Sequence, residues 1–159
     1  MNKTAFITGA NRGIGLAISK ALYAKGINLI LGVRNLDYKE ELISHFDGSQ
    51  SVEVVKVDLN DFSTIDSFIK NHGEKVDILI NNAGVTNDNL FLRMKKNQWL
   101  DVMNVNLNSN FDIIKEILPN MIKKKSGNII GITSVVAFTG NPGQSNYTAS
   151  KSAMIAMYK

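Results

Sequence analysis

Five short apolar runs, at positions 3–8, 28–33, 52–57, 77–80 and 128–133, alternate without a break with longer stretches of helical periodicity. Strands that read as continuous apolar runs are buried on both faces. A parallel sheet covered by helices on each side provides that burial. Unbroken strand–helix alternation therefore predicts an α/β chain built as a doubly wound parallel sheet. With 159 residues, the chain is long enough for one domain with a real core. No internal repeat, linker or low-complexity segment interrupts it.

The helix boundaries follow from local chemistry. An amphipathic helix runs from the first glycines to about position 25, with Gly26 as its C-cap. Asp37 reads as the N-cap of a helix reaching His45, and Asp61 as the cap of one reaching Asn71. A long helix is expected over 97–124, kinked at Pro119 and closed by Gly127. The run Lys123-Lys124-Lys125 then forms its solvated last turn, where cations suit the helix dipole.

Chemistry concentrates in two stretches. The first is Thr8-Gly9-Ala10-Asn11-Arg12-Gly13-Ile14-Gly15, between a strand and a helix. That placement is what a dinucleotide site requires. Gly9 permits the tight turn, Gly13 lets the backbone approach a pyrophosphate, and Gly15 permits close helix packing. The anion then rests on the helix N-terminus.

The second stretch runs from Ser134 to Lys151. A strand delivers Ser134, a Gly/Pro loop follows, and a helix start carries Tyr147 and Lys151 at i and i+4. That spacing places both side chains on one helix face. A phenol titrates near pH 10, and a neighbouring ammonium favours its anion. Such a pair suits general acid/base work, with the Ser134 hydroxyl available to hold a reacting oxygen. Alone, Tyr-x-x-x-Lys is more often a surface helix pair. The glycine loop at the other end of the chain tips the balance.

Composition excludes several classes. The sequence contains no cysteine, so disulfides and thiolate metal sites are ruled out. Its two histidines, His45 and His72, fall at expected helix ends and are too few for a histidine metal site. The net charge of +4 is spread along the chain, with no basic stripe interleaved with aromatics, which argues against nucleic-acid binding. No apolar run has the length of a membrane span and no signal peptide is legible, so a cytoplasmic location is expected.

Thr8-Gly-x-x-x-Gly-Ile-Gly15, Asn81-Asn82-Ala83-Gly84, Asn106, Ser134 and Tyr147-x-x-x-Lys151 occur together, in order. In these motifs the chain resembles the short-chain dehydrogenase/reductase family. The segments 88–95 and 140–147 are similar to those of the 3-oxoacyl-[acyl-carrier-protein] reductases of fatty-acid synthesis. The resemblance implies a Rossmann fold and reduction of an acyl-carrier-protein thioester. It implies Tyr147 as proton donor, Ser134 as hydrogen-bond partner of the reacting oxygen, and Lys151 on the nicotinamide ribose. Asn106 would hold a water of a proton relay.

The implied cofactor positions are Gly9, Asn11, Arg12, Gly13, Ile14, Gly15, Arg34, Asp58, Leu59, Asn82, Ala83 and Gly84, with Tyr147 and Lys151. Asp58 and Leu59 would meet the adenine, although Asp58 also suits a strand-end turn. An acid about 20 residues past the glycine loop binds the ribose 2′-hydroxyl of NAD. Here that place holds Arg34, with Arg12 as a second cation, so NADP(H) is expected.

Family members usually run on well past this length, and 153–159 carries no helix stop signal. The expected sheet is therefore truncated after the fifth strand and the start of the next helix. The longer protein is expected to be a homotetramer. Reduction of another small ketone or alcohol, and non-catalytic NADP binding, are the competing readings.

Overall fold

The structure, a computed structural model, describes residues 3–159. Strands β1 (Thr4–Thr8), β2 (Asn28–Val33), β3 (Val52–Lys56), β4 (Ile78–Asn81) and β5 (Asn128–Gly131) form one sheet in the order β3-β2-β1-β4-β5. All four pairings are parallel. The order reverses between β1 and its neighbours β2 and β4, so a crevice opens at their C-terminal ends. Open α/β sheets bind ligands at such a reversal.

The two-residue period of β1 divides the core. Phe6 points to one face, where it meets Ile65 and Phe68 of α3 (Phe62–His72) and Ile113, Ile117 and Met121 of α5 (Ser109–Lys124). The Phe6 and Phe68 rings stack with centroids 3.8 Å apart. Ala5 and Ile7 point to the other face, against Leu16, Ile18 and Leu22 of α1 (Gly13–Tyr23) and Leu42 of α2 (Lys39–Ile43). Burying a side chain such as Phe6 contributes about 1.5–3 kcal/mol. The central strands are buried as expected.

The edge strands depart from the expected continuous burial. Along β5 the residues alternate between exposed and half-buried, and Ile130 is 48% exposed. No strand pairs with the outer edge of β5 among the described residues. β3 is likewise only partly covered.

Three helix boundaries also differ. Asp37 caps no helix. Its carboxylate accepts from Asn35 Nδ2 and its N–H donates to Asn35 Oδ1, which closes a local turn, and α2 begins only at Lys39. The expected 97–124 helix is interrupted at Asn104–Asn108 by a π-helical segment between α4 (Lys96–Met103) and α5, whereas Pro119 lies within the run of α5. Lys125, not Gly127, takes the left-handed position that ends α5, with φ 51°. Asp61 does cap α3, accepting from the Ser63 N–H at 3.0 Å. Helix α6 (Val136–Thr139) and helix α7 (Ser145–Met157) complete the chain. Among the described residues no helix is long and apolar enough to cross a membrane.

Candidate functional site

One half of the site is the loop from β1 to α1. Gly9 and Gly13 have φ of 64° and 54°, values that side chains with a Cβ rarely adopt. A methyl group at Gly15 would overlap the Gly9 carbonyl, so the helix can start this close to the turn only with glycine there. Around Gly13 the space is open, with nothing within 4 Å of where a Cβ would stand. The first turn of α1 is therefore bare, and its free N–H groups face outward. Asn11, Arg12 and Ile14 are exposed around it, and Arg34 is exposed just past β2.

The loop is held from β4. Asn82 Nδ2 donates to the carbonyls of Thr8 (2.9 Å) and Gly9 (3.2 Å). The Thr8 hydroxyl accepts from the N–H groups of Asn82 and Ala83, each at 3.0 Å. These bonds fix the turn before any ligand arrives. Asp58 is half-buried, and its carboxylate accepts from the Asn60 N–H at 3.0 Å, the strand-end turn that its position also suggested. The Leu59 side chain packs into the core, so what it offers a ligand is its backbone.

The other half is built on α7. Lys151 is 3% exposed. Its ammonium donates to the Ile132 carbonyl at 2.7 Å and stands 5.8 Å from the Tyr147 ring centroid. Burial holds its pKa down, from 10.5 to about 8, because the charged form loses hydration. Ser134 follows two residues after Ile132, in the connection from β5 to α6. One short segment thus carries Ser134 and the carbonyl that holds Lys151.

Asn106, in the π-helical segment, is fully buried. Its Oδ1 accepts from the Val85 N–H (2.8 Å), and its Nδ2 donates to the Val85 carbonyl (2.9 Å) and to Ser150 Oγ (3.1 Å). Ser150 Oγ in turn donates to the Tyr147 carbonyl at 2.7 Å. A Cβ on Gly84 would stand 3.4 Å from Lys151 Nζ and 3.3 Å from Asn106 Oδ1. The segment Asn82-Ala83-Gly84 therefore bridges the glycine loop and the Tyr147–Lys151 pair.

The family model described as short chain dehydrogenase matches residues 3–159. The chain belongs to this family. Among its relatives, a 3-oxoacyl-[acyl-carrier-protein] reductase FabG of Buchnera aphidicola subsp. Acyrthosiphon pisum is 44% identical over 160 residues, covering 99% of this chain and 65% of the relative. The protein of the same description from Haemophilus influenzae is 42% identical over 159 residues, again covering 99% of this chain and 65% of the relative. A solved structure described as a short chain dehydrogenase/reductase family protein superposes with a TM-score of 0.92 at 25% identity, over 98% of this chain and 65% of that one. This short-chain dehydrogenase chain thus spans 65% of the length of the two curated relatives.

Sequence reasoning did not single out the Thr8 hydroxyl, Val85, Ser150 or Asn146. Each acts through hydrogen bonds to segments distant in sequence. A serine or asparagine in a polar stretch carries no local mark of that.

Proposed function

We propose that these residues serve an NADPH-dependent reductase of 3-oxoacyl thioesters carried on acyl-carrier protein. The observation that carries the reading is the buried Lys151 ammonium, fixed beneath the half-buried Tyr147 and beside Gly84. The printed names of the relatives support the substrate class. Bound NADPH supplies a hydride to the 3-oxo carbon.

The open, glycine-lined start of α1 fits a pyrophosphate, and Arg12 and Arg34 fit a 2′-phosphate at its side. Both present planar guanidinium groups suited to phosphate oxygens. Gly84 leaves the Lys151 ammonium clear for a ribose hydroxyl. Tyr147 gives its phenolic proton to the 3-oxo oxygen, and Ser134 donates a hydrogen bond to the same oxygen. The Lys151 cation stabilises the negative charge that Tyr147 acquires. Both N–H groups of the Asn106 side chain are spent on Val85 and Ser150, so a relay water there would bind as a donor to an Asn106 oxygen.

The deciding experiment offers the full-length protein acetoacetyl-acyl-carrier protein, free 3-oxo acids and simple ketones, each with NADPH. Turnover of the thioester well above the others is expected. Turnover of simple ketones alone would point to a general carbonyl reductase. NADPH binding without any turnover would point to a non-catalytic protein.

Arg34→Asp is expected to move preference from NADPH toward NADH by at least about tenfold in kcat/KM, since the carboxylate repels the 2′-phosphate and accepts from the ribose hydroxyl. Equal kinetics with both cofactors, before and after the change, would show that Arg34 does not face the 2′ position.

The exposed Phe111, Leu118 and Ile122 of α5 support the expected self-association. Sedimentation of the full-length protein is expected to give a tetramer. A monomer at micromolar concentration would remove that reading.

A further inference from the structure

We infer that Asn146 is a positioning residue, which places the Tyr147 phenol by bolting the first turn of α7 to loop 85–90 and to α4. The inference rests on the reduction proposed above. Three consecutive loop residues meet the approach to α7 in reverse order. The Asn87 carbonyl accepts from Asn146 Nδ2 (2.9 Å), the Asp88 carboxylate accepts from Gln144 Nε2 (2.9 Å), and the Asn89 N–H donates to the Gly143 carbonyl (2.9 Å). Gln98 of α4 backs this zipper. Its Nε2 donates to Asn87 Oδ1 at 2.8 Å, and its Oε1 accepts from Asn89 Nδ2 at 3.1 Å.

Asn146 is the inner end of the zipper and is fully buried. Its second N–H goes to the Gln98 carbonyl at 3.0 Å. Its Oδ1 accepts from the Tyr147 N–H at 2.8 Å, one of the first-turn amides that no helix carbonyl reaches. One planar amide thus joins a loop, a helix and the residue that carries the phenol. The polar anchors of Tyr147 are its main-chain N–H on Asn146 and its main-chain carbonyl on Ser150. The phenol is therefore located through its backbone. Loss of the Asn146 amide leaves buried polar groups without partners and frees the turn.

The test uses the full-length protein with Asn146→Ala, Asn146→Ser and Ile117→Val. Ile117 lies in the core on the α5 side of the sheet and serves as a control for lost stability. Misplacement by about 1 Å can cost about 10²-fold, so Asn146→Ala is expected to lower kcat for acetoacetyl thioester by about 10–100-fold. NADPH Kd and thioester KM are expected to stay within about threefold, because the glycine loop is untouched. Amide exchange at Tyr147 and at Asn89, whose N–H groups are bonded within the zipper, is expected to quicken by at least about tenfold. Asn146→Ser keeps an oxygen for the Tyr147 N–H but cannot serve both carbonyls, so it falls between, and it decides the matter where Asn146→Ala does not fold. Ile117→Val keeps the wild-type kcat.

Wild-type kcat in the Asn146 variants, or an equal loss in Ile117→Val, overturns the inference. If the wild type reduces no thioester, the functional reading falls and exchange alone decides. Unchanged protection at Tyr147 and Asn89 then overturns the inference, and faster exchange confined to them supports it.

Discussion

Tyr147→Phe is expected to lower 3-oxoacyl thioester reduction by about 10²–10⁴-fold, the usual worth of a positioned general acid. The ring packing is retained, since only one oxygen is removed. The backbone anchors of Tyr147 on Asn146 and Ser150 involve main-chain atoms and survive the change. The loop that would take the pyrophosphate is held by Thr8 and Asn82 through bonds in which the phenol takes no part. NADPH affinity is therefore expected to stay within about twofold, and kcat to carry the loss. Stopped-flow reduction of acetoacetyl-acyl-carrier protein, with NADPH binding followed by fluorescence, separates the two quantities. A variant retaining more than about a tenth of the rate would show that another group donates the proton.

Much of this arrangement was legible before any coordinates, and the reason is local. β1, β2 and β4 have continuous apolar centres because both faces are covered, so the runs around Phe6, Leu31 and Leu79 announce them. The glycine loop is legible because backbone conformation and close packing force residue type at Gly9, Gly13 and Gly15. The Tyr147–Lys151 pair is legible because the helix period brings i and i+4 together.

What was hidden depends on partners that residue type alone does not announce. Ile130 looks like a core residue in sequence, but the outer edge of β5 is unpaired. Asp37 looks like a helix cap, but Asn35 competes for it within a turn. The π-helical segment at Asn104–Asn108 has no composition of its own. Its place coincides with Asn106, whose side chain is committed to Val85 and Ser150. Such segments often occur at functional sites, where a side chain must leave the regular helical position. Asn146 is the furthest from legibility, because its three partners belong to three different segments.

Lys151→Met is expected to remove activity and to make the protein more stable below about pH 8. The Lys151 ammonium is buried, and among the described residues no carboxylate forms an ion pair with it. Its polar contacts are the Ile132 carbonyl at 2.7 Å and, more weakly, the Met154 sulfur at 3.6 Å. Keeping a charge there costs hydration, which is why the pKa falls from 10.5 to about 8.

The sign of the linkage follows from that direction. Between the two values the unfolded chain still carries the proton while the folded chain has released it. The unfolded state then binds more protons, so wild-type stability rises as pH increases from about 8 to 10.5. Met is unbranched and fills similar space without charge, and replacing a buried ion by an apolar side chain is often neutral or stabilising. The unpartnered Ile132 carbonyl offsets part of the gain, by about 1–3 kcal/mol. The variant is therefore expected to unfold at higher denaturant than wild type at pH 7, with the difference closing between pH 8 and 10.5.

Activity moves the opposite way. In the proposed reduction nothing would then offset the charge that Tyr147 acquires, and kcat is expected to fall by about 10²–10³-fold. In the wild type the same cation is lost as pH rises through about 8, so the reduction rate is expected to decline there. Urea unfolding curves at pH 7 and pH 10, alongside kcat at each pH, test both halves. A wild-type protein whose stability is flat across that interval would mean that the lysine titrates alike in the folded and unfolded chain, so that burial does not penalise its charge. A Lys151→Met enzyme with ordinary turnover would mean that Tyr147 works without it.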